Sequence, residues 1–474
     1  MNRIIAYFRG WSRGRWIALV CGGTFAVLLV DRVRHLYLIK MESLERGFII
    51  ADIALYIDML ANTNLLAGRF LPSVFFERYF NYPNFLCEHY SPTLGLVVPV
   101  FQMFPTAGLL LGLQVLCFGV TAALFYHLVH RVHGSAITAL GLGVLYISNE
   151  NVLFSFVSMK SGFYHDSLIP PLGMLVLYLA VRRKPYLFVV AAVLLAGVKE
   201  NIPLFMMACA IVIFVFHHSR RRYALMMAAV SVAFIVANAL LPITHDCVPR
   251  HSSAAFARLS ANLSTEFVLG FPVFVFEFFR DNPFFLLALG APLIAICSSG
   301  QFLLSYGLEM KFTGNQFLAL GTMLLVAIVL SGLVFRGRRM RYVRIAIMVV
   351  SIVFAYGEQQ GGREWMINLV NSTGFMAGRI DHAGFDALMA RIPENATFST
   401  TSPLQVHVAQ RRGFLWSGDE RARFHLIDAA YLPLEEDQEF ARQIERWQAD
   451  DRLRVVQSQG TMTLYELTDP APRN

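Results

Sequence analysis

A short charged segment interrupts one of the most apolar stretches of this chain. Lys199-Glu200-Asn201 lies inside residues 185–216, which are otherwise mostly apolar and are flanked by basic clusters. Charges inside a membrane are costly, so a Lys-Glu pair there predicts a functional site. The alternative is that the two charges neutralise each other and cap two short helices.

Two carboxylates lie on a predicted helix nearer the N-terminus. Apolar residues at positions 49, 50, 53, 54, 57 and 60 recur with helical spacing. This spacing predicts an amphipathic helix that lies on the outer leaflet of the membrane. Asp52 opens this helix, and Asp58 lies almost two turns further on. Local sequence favours a simple role for Asp52, because a first-turn carboxylate is stabilised by the helix dipole. The alternative is a functional role at the membrane face.

Two histidines each have an acidic neighbour in the chain. Glu88-His89 closes the first long loop, and His165-Asp166 lies in a later one. Single histidines in loops are usually only solvated, and a Glu-His pair can form a salt bridge at a helix entrance. The topology that the basic clusters predict nevertheless brings both pairs to the same outer membrane face as Asp52 and Lys199-Glu200. This convergence predicts one shared polar site.

The composition of the chain requires many membrane-spanning helices. Of its 474 residues, 56% are hydrophobic and only 15% are charged, and the mean hydropathy is +0.52. Soluble domains carry about a quarter charged residues, so a chain of this length cannot be an ordinary soluble enzyme or a disordered protein. The net charge of +8 does not indicate nucleic-acid binding, because residues 1–357 carry +13 and residues 358–474 carry −5.

Basic clusters between the apolar runs predict the orientation of the chain. By the positive-inside rule they lie in the cytoplasm, so the N-terminus is predicted to be cytoplasmic and the C-terminus external. About eleven spans follow within residues 1–357, together with a long first external loop at 38–92. If residues 264–279 instead lie flat on the membrane, residues 299–315 must cross it. The predicted spans are 16–37, 107–128, 135–152, 168–181, 186–198, 202–216, 223–242, 264–279, 284–298, 316–335 and 343–357.

Residues 358–474 predict a small external α/β domain. A helix ends just before a turn at Pro393, and a polar helix is predicted over residues 435–449. No catalytic constellation is visible there, which favours the role of a structural cap or a docking unit. Predicted strands cover residues 397–400, 424–428, 452–458 and 461–467.

Cysteine positions and short motifs add limited information. Cys87 and Cys247 both fall in predicted external loops, where an oxidising compartment would let them pair; two free thiols are the alternative. The sequence contains no CxxC, HExxH, P-loop, GxGxxG or GxSxG motif. No cofactor is therefore assigned, and a requirement for a divalent metal is left open.

Several segments together resemble a family of prokaryotic membrane proteins called domain of unknown function 2079. The likeness is strongest over residues 48–210, and Arg391-Ile-Pro-Glu-Asn-Ala also resembles the tail of that family. Asn201 departs from the family pattern, which usually has an acidic residue there. The segments are Asp52-Ile-Ala-Leu-Tyr-Ile-Asp, Glu88-His-Tyr-Ser-Pro-Thr-Leu, Leu113-Gln-Val-Leu, Phe163-Tyr-His-Asp-Ser-Leu and Lys199-Glu-Asn.

The family is similar in layout to the GT-C glycosyltransferases, which have many spans, a key carboxylate in a long first loop and an external C-terminal domain. The resemblance implies transfer of a sugar from a polyprenyl-phosphate donor to an acceptor at the outer face of the bacterial inner membrane. The implied partners are this lipid-linked sugar and the membrane lipid. The implied roles are Asp52 as the base, Lys199 as the cation at the leaving phosphate with His165 or His89 assisting, Glu200 as the group that orients Lys199, and Asp58, Glu88 and Asp166 as residues of the site wall.

Two other classes of protein remain open. A transporter or flippase for a lipid-linked or polar solute explains the Lys-Glu pair equally well, but it explains the long first loop and the external tail less readily. A non-enzymatic assembly factor would act through the C-terminal domain. An arrangement of the polar residues around one laterally open cavity favours the transferase, whereas a central pore favours transport.

Overall fold

The computed structural model of the chain consists mainly of α-helices, with a small β-sheet near the C-terminus. It describes residues 12–46, 52–64, 66–73, 77, 84–157, 162–216, 218–245, 265–281, 285–286, 288, 291, 315–334, 379–411, 413–432 and 438–468. The helices before the sheet are α1 (Arg13–Glu45), α2 (Asp52–Asn62), α3 (Val97–Met103), α4 (Ala107–His133), α5 (Ala136–Ser148), α6 (Glu150–Val157), α7 (Ile169–Val181), α8 (Pro185–Ala196), α9 (Ile202–Phe216), α10 (Arg221–His245), α11 (Thr265–Asp281) and α12 (Asn315–Val334).

Three helices of the described chain are long and apolar enough to cross a membrane. They are Arg13–Glu45, Ala107–His133 and His218–Leu240. Shorter apolar helices pack with them, including the pair α8 and α9 on either side of Lys199-Glu200-Asn201. The predicted short hairpin is therefore confirmed as two helices. The count of eleven spans stays a prediction, since most of residues 284–298 and all of residues 343–357 lie outside the described part.

The basic turns lie together at one end of the helical bundle. The ring centroids of His127 on α4 and Tyr178 on α7 are 5.6 Å apart. Arg220, just before α10, donates from Nη1 to the carbonyl oxygen of Ala180 at 2.9 Å. The turns that follow α4, α7 and α9 therefore share one end. Gly134 fits the first of these turns because its φ of 68° is left-handed, a conformation that glycine adopts without strain.

The loops that carry the predicted polar site meet at the other end. The backbone N–H of Thr93 donates to the carbonyl oxygen of Gly197 at 2.9 Å. The hydroxyl of Ser91 donates to the carbonyl oxygen of Val198 at 2.8 Å. These bonds fix the end of the first loop against the turn between α8 and α9. Charge is thus segregated along the bundle, with basic turns at one end and mixed polar residues at the other.

The C-terminal region forms a mixed five-stranded sheet with the order β2-β1-β3-β5-β4. β1 is parallel to β2 and β3, whereas β5 is antiparallel to β3 and β4. Trp447 and Phe440 of a flanking helix are buried with Ile427 of the sheet. The elements are α13 (His382–Met389), β1 (Phe398–Thr400), α14 (Ser402–Val408), β2 (Phe414–Leu415), β3 (Phe424–Asp428), α15 (Gln438–Ala449), β4 (Leu453–Gln459) and β5 (Met462–Leu467).

The predicted strands and the polar helix of this region are confirmed, but α14 and β2 were missed. β2 contains only two residues, which is too short for an alternating pattern. In α14 almost every side chain is buried, including Leu404, Gln405 and Val406. A helix buried on all sides shows no polar face and hence no helical period in its sequence.

Helix α2 is enclosed by protein, so the prediction that its apolar stripe lies on the membrane surface is wrong. Ile53, Met59 and Leu60 are fully buried, in one core with Leu404 and Leu426 of the C-terminal region. An apolar stripe has the same spacing whether it faces lipid or protein, so the sequence alone could not separate the two cases. Helix α2 instead connects the membrane part to the C-terminal sheet region.

The C-terminal region also contacts the end of α1 directly. The backbone N–H of Ile380 donates to the carbonyl oxygen of Glu45 at 2.9 Å, and Nε2 of His382 lies 3.0 Å from the Glu45 carboxylate. The hydroxyl of Tyr431 donates to the carbonyl oxygen of Arg46 at 3.3 Å. Exposed ion pairs contribute little stability, so the buried core around α2 holds this interface together.

The described cysteines are all buried. Cys87 is disulfide-bonded. Its predicted partner, Cys247, lies outside the described residues. Cys21, Cys117 and Cys209 are buried in apolar surroundings, as expected for packing residues.

Replacing Cys87 by Ser should lower the free energy of unfolding by about 2–4 kcal/mol, because the disulfide restricts the unfolded chain. Non-reducing digestion and mass spectrometry of the parent chain should show the Cys87 peptide joined to the Cys247 peptide. Cys21→Ser is the control and should keep this cross-link. A Cys87 peptide joined to a different cysteine would contradict the predicted pairing.

Candidate active site at the polar end of the bundle

A buried ion pair lies at the centre of the polar end. Nζ of Lys199 is 2.8 Å from Oδ2 of Asp166, and Asp166 is only 2% exposed. Asp166 belongs to the one-turn helix His165–Leu168 that leads into α7, and Lys199 lies in the turn between α8 and α9. A buried carboxylate needs a paired cation because losing its water is costly. The ion pair therefore fixes these two turns against each other.

Glu200 and His89 form a second pair beside the first. Nδ1 of His89 lies 3.3 Å from Oε1 of Glu200. Burial alone would raise the pKa of Glu200, but the bond to His89 and the charge of Lys199 lower this pKa to about 2. Burial alone would lower the pKa of Lys199, but the carboxylates of Asp166 and Glu200 outweigh it and raise that pKa. At neutral pH the site therefore holds an ionised Glu200 and a protonated Lys199.

His165 connects this cluster to α2. Its Nδ1 is 2.6 Å from the hydroxyl oxygen of Tyr56, and its ring centroid is 5.3 Å from that of His89. Burial, together with the charges of His89 and Lys199, lowers the pKa of His165 well below its usual value, so the ring is neutral. If Tyr56 donates to Nδ1, the single ring proton lies on Nε2, a tautomer assigned from hydrogen bonding.

Three buried polar atoms in this cluster have no hydrogen-bond partner within the described part of the chain. They are Nε2 of His165, Oδ1 of Asp166 and Oε2 of Glu200. The first two are 3.4 Å apart, and their geometry is not that of a hydrogen bond. Buried polar atoms are nearly always satisfied. These atoms therefore have hydrogen-bonding capacity that the described side chains do not use.

Lys40 supports the cluster and was not identified from the sequence. It is 1% exposed near the end of α1, and its Nζ donates to Oε1 of Gln114 at 2.5 Å and to the carbonyl oxygen of Gly162 at 2.8 Å. Gly162 lies three residues before His165, so this bond positions the segment that leads into the site. The first span was predicted to end at residue 37, which placed Lys40 in a loop. A polar Gln114 inside an apolar run was the available signal.

The other predicted site residues lie in different surroundings. The carboxylate of Asp58 accepts hydrogen bonds from Asn62 at 2.7 Å and from the hydroxyl of Ser73 at 3.1 Å, which stabilise the first loop at a place apart from the Lys199 cluster. Glu88 is half-buried directly before His89. Asp52 is the first residue of α2, one turn before Tyr56, and its side chain is outside the described part. Tyr56 itself was missed by the sequence analysis.

No group of three His, Cys, Asp or Glu side chains in the described ranges is arranged to hold a metal ion. The polar cluster is thus a set of two carboxylates, two histidines, one lysine and one tyrosine. Such a set of groups can stabilise negative charge through Lys199 and can offer hydrogen bonds from the other side chains.

A comparison with known protein families identifies one match that covers most of the chain. The profile of a family described as "Predicted membrane protein (DUF2079)" matches residues 52–453. The matched range includes α2, the polar cluster and strands β1, β2 and β3 of the C-terminal sheet, and it ends at the first residue of β4. No curated protein matches the chain.

Glu200→Gln should lower the stability of the folded protein at pH 7 by on the order of 2 kcal/mol, because it removes a carboxylate that the fold keeps ionised. The folded pKa of about 2 lies below the ordinary 4.5, so this stabilisation is present above pH 4.5 and is lost as the pH falls towards 2. Thermal unfolding in lipid nanodiscs should show the difference between the parent and the variant shrinking over that range. Glu445→Gln on α15 is the control. A difference that stays constant down to pH 2 would refute the assignment.

Proposed function

The chain belongs to the DUF2079 family of predicted membrane proteins, and on this basis we propose that it is a membrane glycosyltransferase of the GT-C type. It transfers a sugar from a polyprenyl-phosphate donor to an acceptor at the outer face of the inner membrane. The observation that carries this proposal is the buried Lys199–Asp166 pair, surrounded by polar atoms of His165 and Glu200 that lack partners among the described residues.

The proposed reaction needs a cation where negative charge develops. The oxygen of an acceptor hydroxyl forms a bond to C1 of the sugar, and the bond between C1 and the oxygen of the lipid phosphate breaks. The hydroxyl proton goes to a base, and the phosphate leaves with an additional negative charge. Lys199 suits the stabilisation of that charge because its raised pKa keeps the amine protonated. Asp166 and Glu200 hold the ammonium group in place.

The histidines take neutral roles in this proposal. The sequence suggested His165 as an assisting cation, but burial keeps its ring neutral. His165 then offers its Nε2 proton as a hydrogen-bond donor to a substrate oxygen, with Tyr56 holding the ring from the other side. His89 holds Glu200 in position.

Asp52 is the proposed base for the acceptor hydroxyl. It opens α2, and Tyr56 one turn later contacts His165, which supports a location of the start of α2 near the cluster. A carboxylate positioned in this way would accept the hydroxyl proton as the new bond forms. A divalent metal has no assigned step in the proposal.

The proposal also includes the arrangement of the chain in the membrane. It comprises about eleven spans in a GT-C-like layout, basic turns in the cytoplasm and the C-terminal sheet region outside the inner membrane. The segregation of the basic turns from the polar cluster, at opposite ends of the bundle, supports this orientation.

A transporter or flippase of a lipid-linked or polar solute is the second candidate. The observation in its favour is the buried contact between Lys40 on α1 and Gln114 on α4, since polar side chains between spans are typical of solute pathways. A flippase would change the membrane side on which a sugar-lipid is found, whereas a transferase would change the amount of the glycan product.

Asp52→Asn should abolish sugar transfer, with a loss of about 10²–10⁴-fold or more, because the base is removed while the helix start stays compatible with folding. Lys199→Gln should lower the rate by about 10²–10³-fold. The measurement is mass spectrometry of envelope glycans and polyprenyl-phosphate sugars in a deletion strain complemented with each variant. Glu77→Gln in the same loop is the control and should restore the parent pattern.

Two outcomes would count against this assignment. Full transfer by Asp52→Asn would eliminate Asp52 as the base. An unchanged glycan and sugar-lipid profile in the deletion strain would eliminate the glycosyltransferase itself. A sugar-lipid of unchanged amount but altered sidedness would favour the flippase.

A further inference from the structure

An apolar cavity of about 340 Å³ lies within the helical bundle and extends from the basic end to Ile169 and Ile202, and none of the six side chains of the polar cluster lines it. Helices α4, α7, α8, α9, α10 and α12 contribute to its walls. The volume is in the range of natural ligand pockets. Its lining is nearly all hydrocarbon and includes Ile169, Leu195, Ile202, Met206, Met323 and Leu330.

Two arginines lie where this cavity reaches the basic end of the bundle. Arg131, in the last turn of α4, is exposed, and Arg220 before α10 is half-buried. Arg220 uses Nη1 to bond the carbonyl oxygen of Ala180 at 2.9 Å, which anchors the guanidinium group at the cavity mouth. A guanidinium group carries five N–H donors, so further donors remain for a ligand. The cavity thus combines apolar walls with cations at one end only.

We propose that this cavity binds an anionic phospholipid of the membrane. One acyl chain lies between the helices, and the phosphate contacts Arg131 and Arg220. Guanidinium groups bind phosphate through paired hydrogen bonds, and basic pockets between helices are typical sites for anionic head groups. Apolar walls without a partner lose their dispersion contacts, which favours occupancy by a hydrocarbon chain.

The polar residues of the cavity wall do not offer a site for a second head group. The hydroxyl of Thr322 already donates to the carbonyl oxygen of Leu318 in its own helix at 2.6 Å. Cys209 is buried within the same wall. The interior therefore accepts hydrocarbon, and only the arginine end accepts charge.

The proposed lipid is distinct from a lipid-linked sugar donor. Helix α9 has 15 residues and separates the Lys199 turn from the Arg220 end by about 22 Å. A phosphate at Arg220 is therefore too far from Lys199 to take part in chemistry there. The bound phospholipid instead fills the space beside the short helices α8 and α9, whose connecting turn holds Lys199. This inference does not rest on the proposed sugar transfer.

The test is native mass spectrometry of the full chain released from nanodiscs of phosphatidylglycerol or phosphatidylethanolamine with matched acyl chains. The parent should retain phosphatidylglycerol preferentially. The double variant Arg131→Gln/Arg220→Gln should reduce this retention roughly tenfold or more. Ala319→Leu/Cys209→Leu fills the cavity, leaves both arginines in place and should also reduce retention. The control Arg183→Gln/Arg222→Gln removes the same charge from the same end and should change retention less than about twofold.

The outcomes separate the possible occupants. Equal loss of lipid in the Arg183/Arg222 control would show only non-specific attraction and would overturn the proposal. Undiminished retention in the cavity-filling variant would place the lipid elsewhere, and preferential retention of an added polyprenyl phosphate would assign the cavity to a different lipid. If the arginine variant does not fold, the cavity-filling variant alone decides. Sugar transfer is not measured, so failure here is distinguishable from failure of the proposed function.

Discussion

The buried pair of Lys199 and Asp166 is the interaction on which the polar end of this protein depends. The carboxylate of Asp166 is only 2% exposed, and removal of one partner from a buried ion pair typically costs about 3–5 kcal/mol. The fold places the two partners on two turns that are distant in sequence, one before α7 and one between α8 and α9. Hydrogen bonds from Ser91 and Thr93 then hold the second turn to the first loop. The positions of three chain segments thus depend on one buried ion pair.

Contacts extend from this pair to the C-terminal sheet region. Asp166 adjoins His165, and His165 contacts Tyr56 on α2. The apolar residues of α2 share a core with Leu426 of β3. Helix α2 is therefore the element through which the sheet region supports the polar cluster. A C-terminal region that only covered the membrane part would not need to enclose a helix of the first loop. Its packing instead makes the position of α2, and with it the start of that helix at Asp52, dependent on the folded sheet.

The sequence identified site residues where a charged side chain interrupts an apolar run. It did not identify residues whose role depends on contacts with distant parts of the chain. The pairs at His165-Asp166 and Lys199-Glu200 stood out because charged residues are rare in an apolar chain, and both now lie in one cluster. The helices flanking Lys199 and most of the C-terminal strands followed from local patterns. Tyr56 and Lys40 could not be recognised in this way, since their roles come from partners more than 70 positions away. The apolar stripe of α2 gave the helix but not its neighbour, because lipid and a protein core select the same residues.

Helix length relates the polar cluster to the depth of a membrane. Helices α7, α8 and α9 contain 13, 12 and 15 residues, which corresponds to about 18–22 Å, whereas the hydrocarbon core of a bilayer is about 30 Å thick. If the basic turns lie at the level of the lipid head groups, the Lys199 turn lies below the opposite surface, within the hydrocarbon region. Attraction between Lys199 and a phosphate is stronger there than in water, because the effective dielectric constant is lower. A substrate attached to a lipid can bring its phosphate to that depth, whereas a fully solvated sugar phosphate would lose its hydration on the way. The short helices around Lys199 thus suit the lipid-linked substrate of the proposed function better than a soluble one.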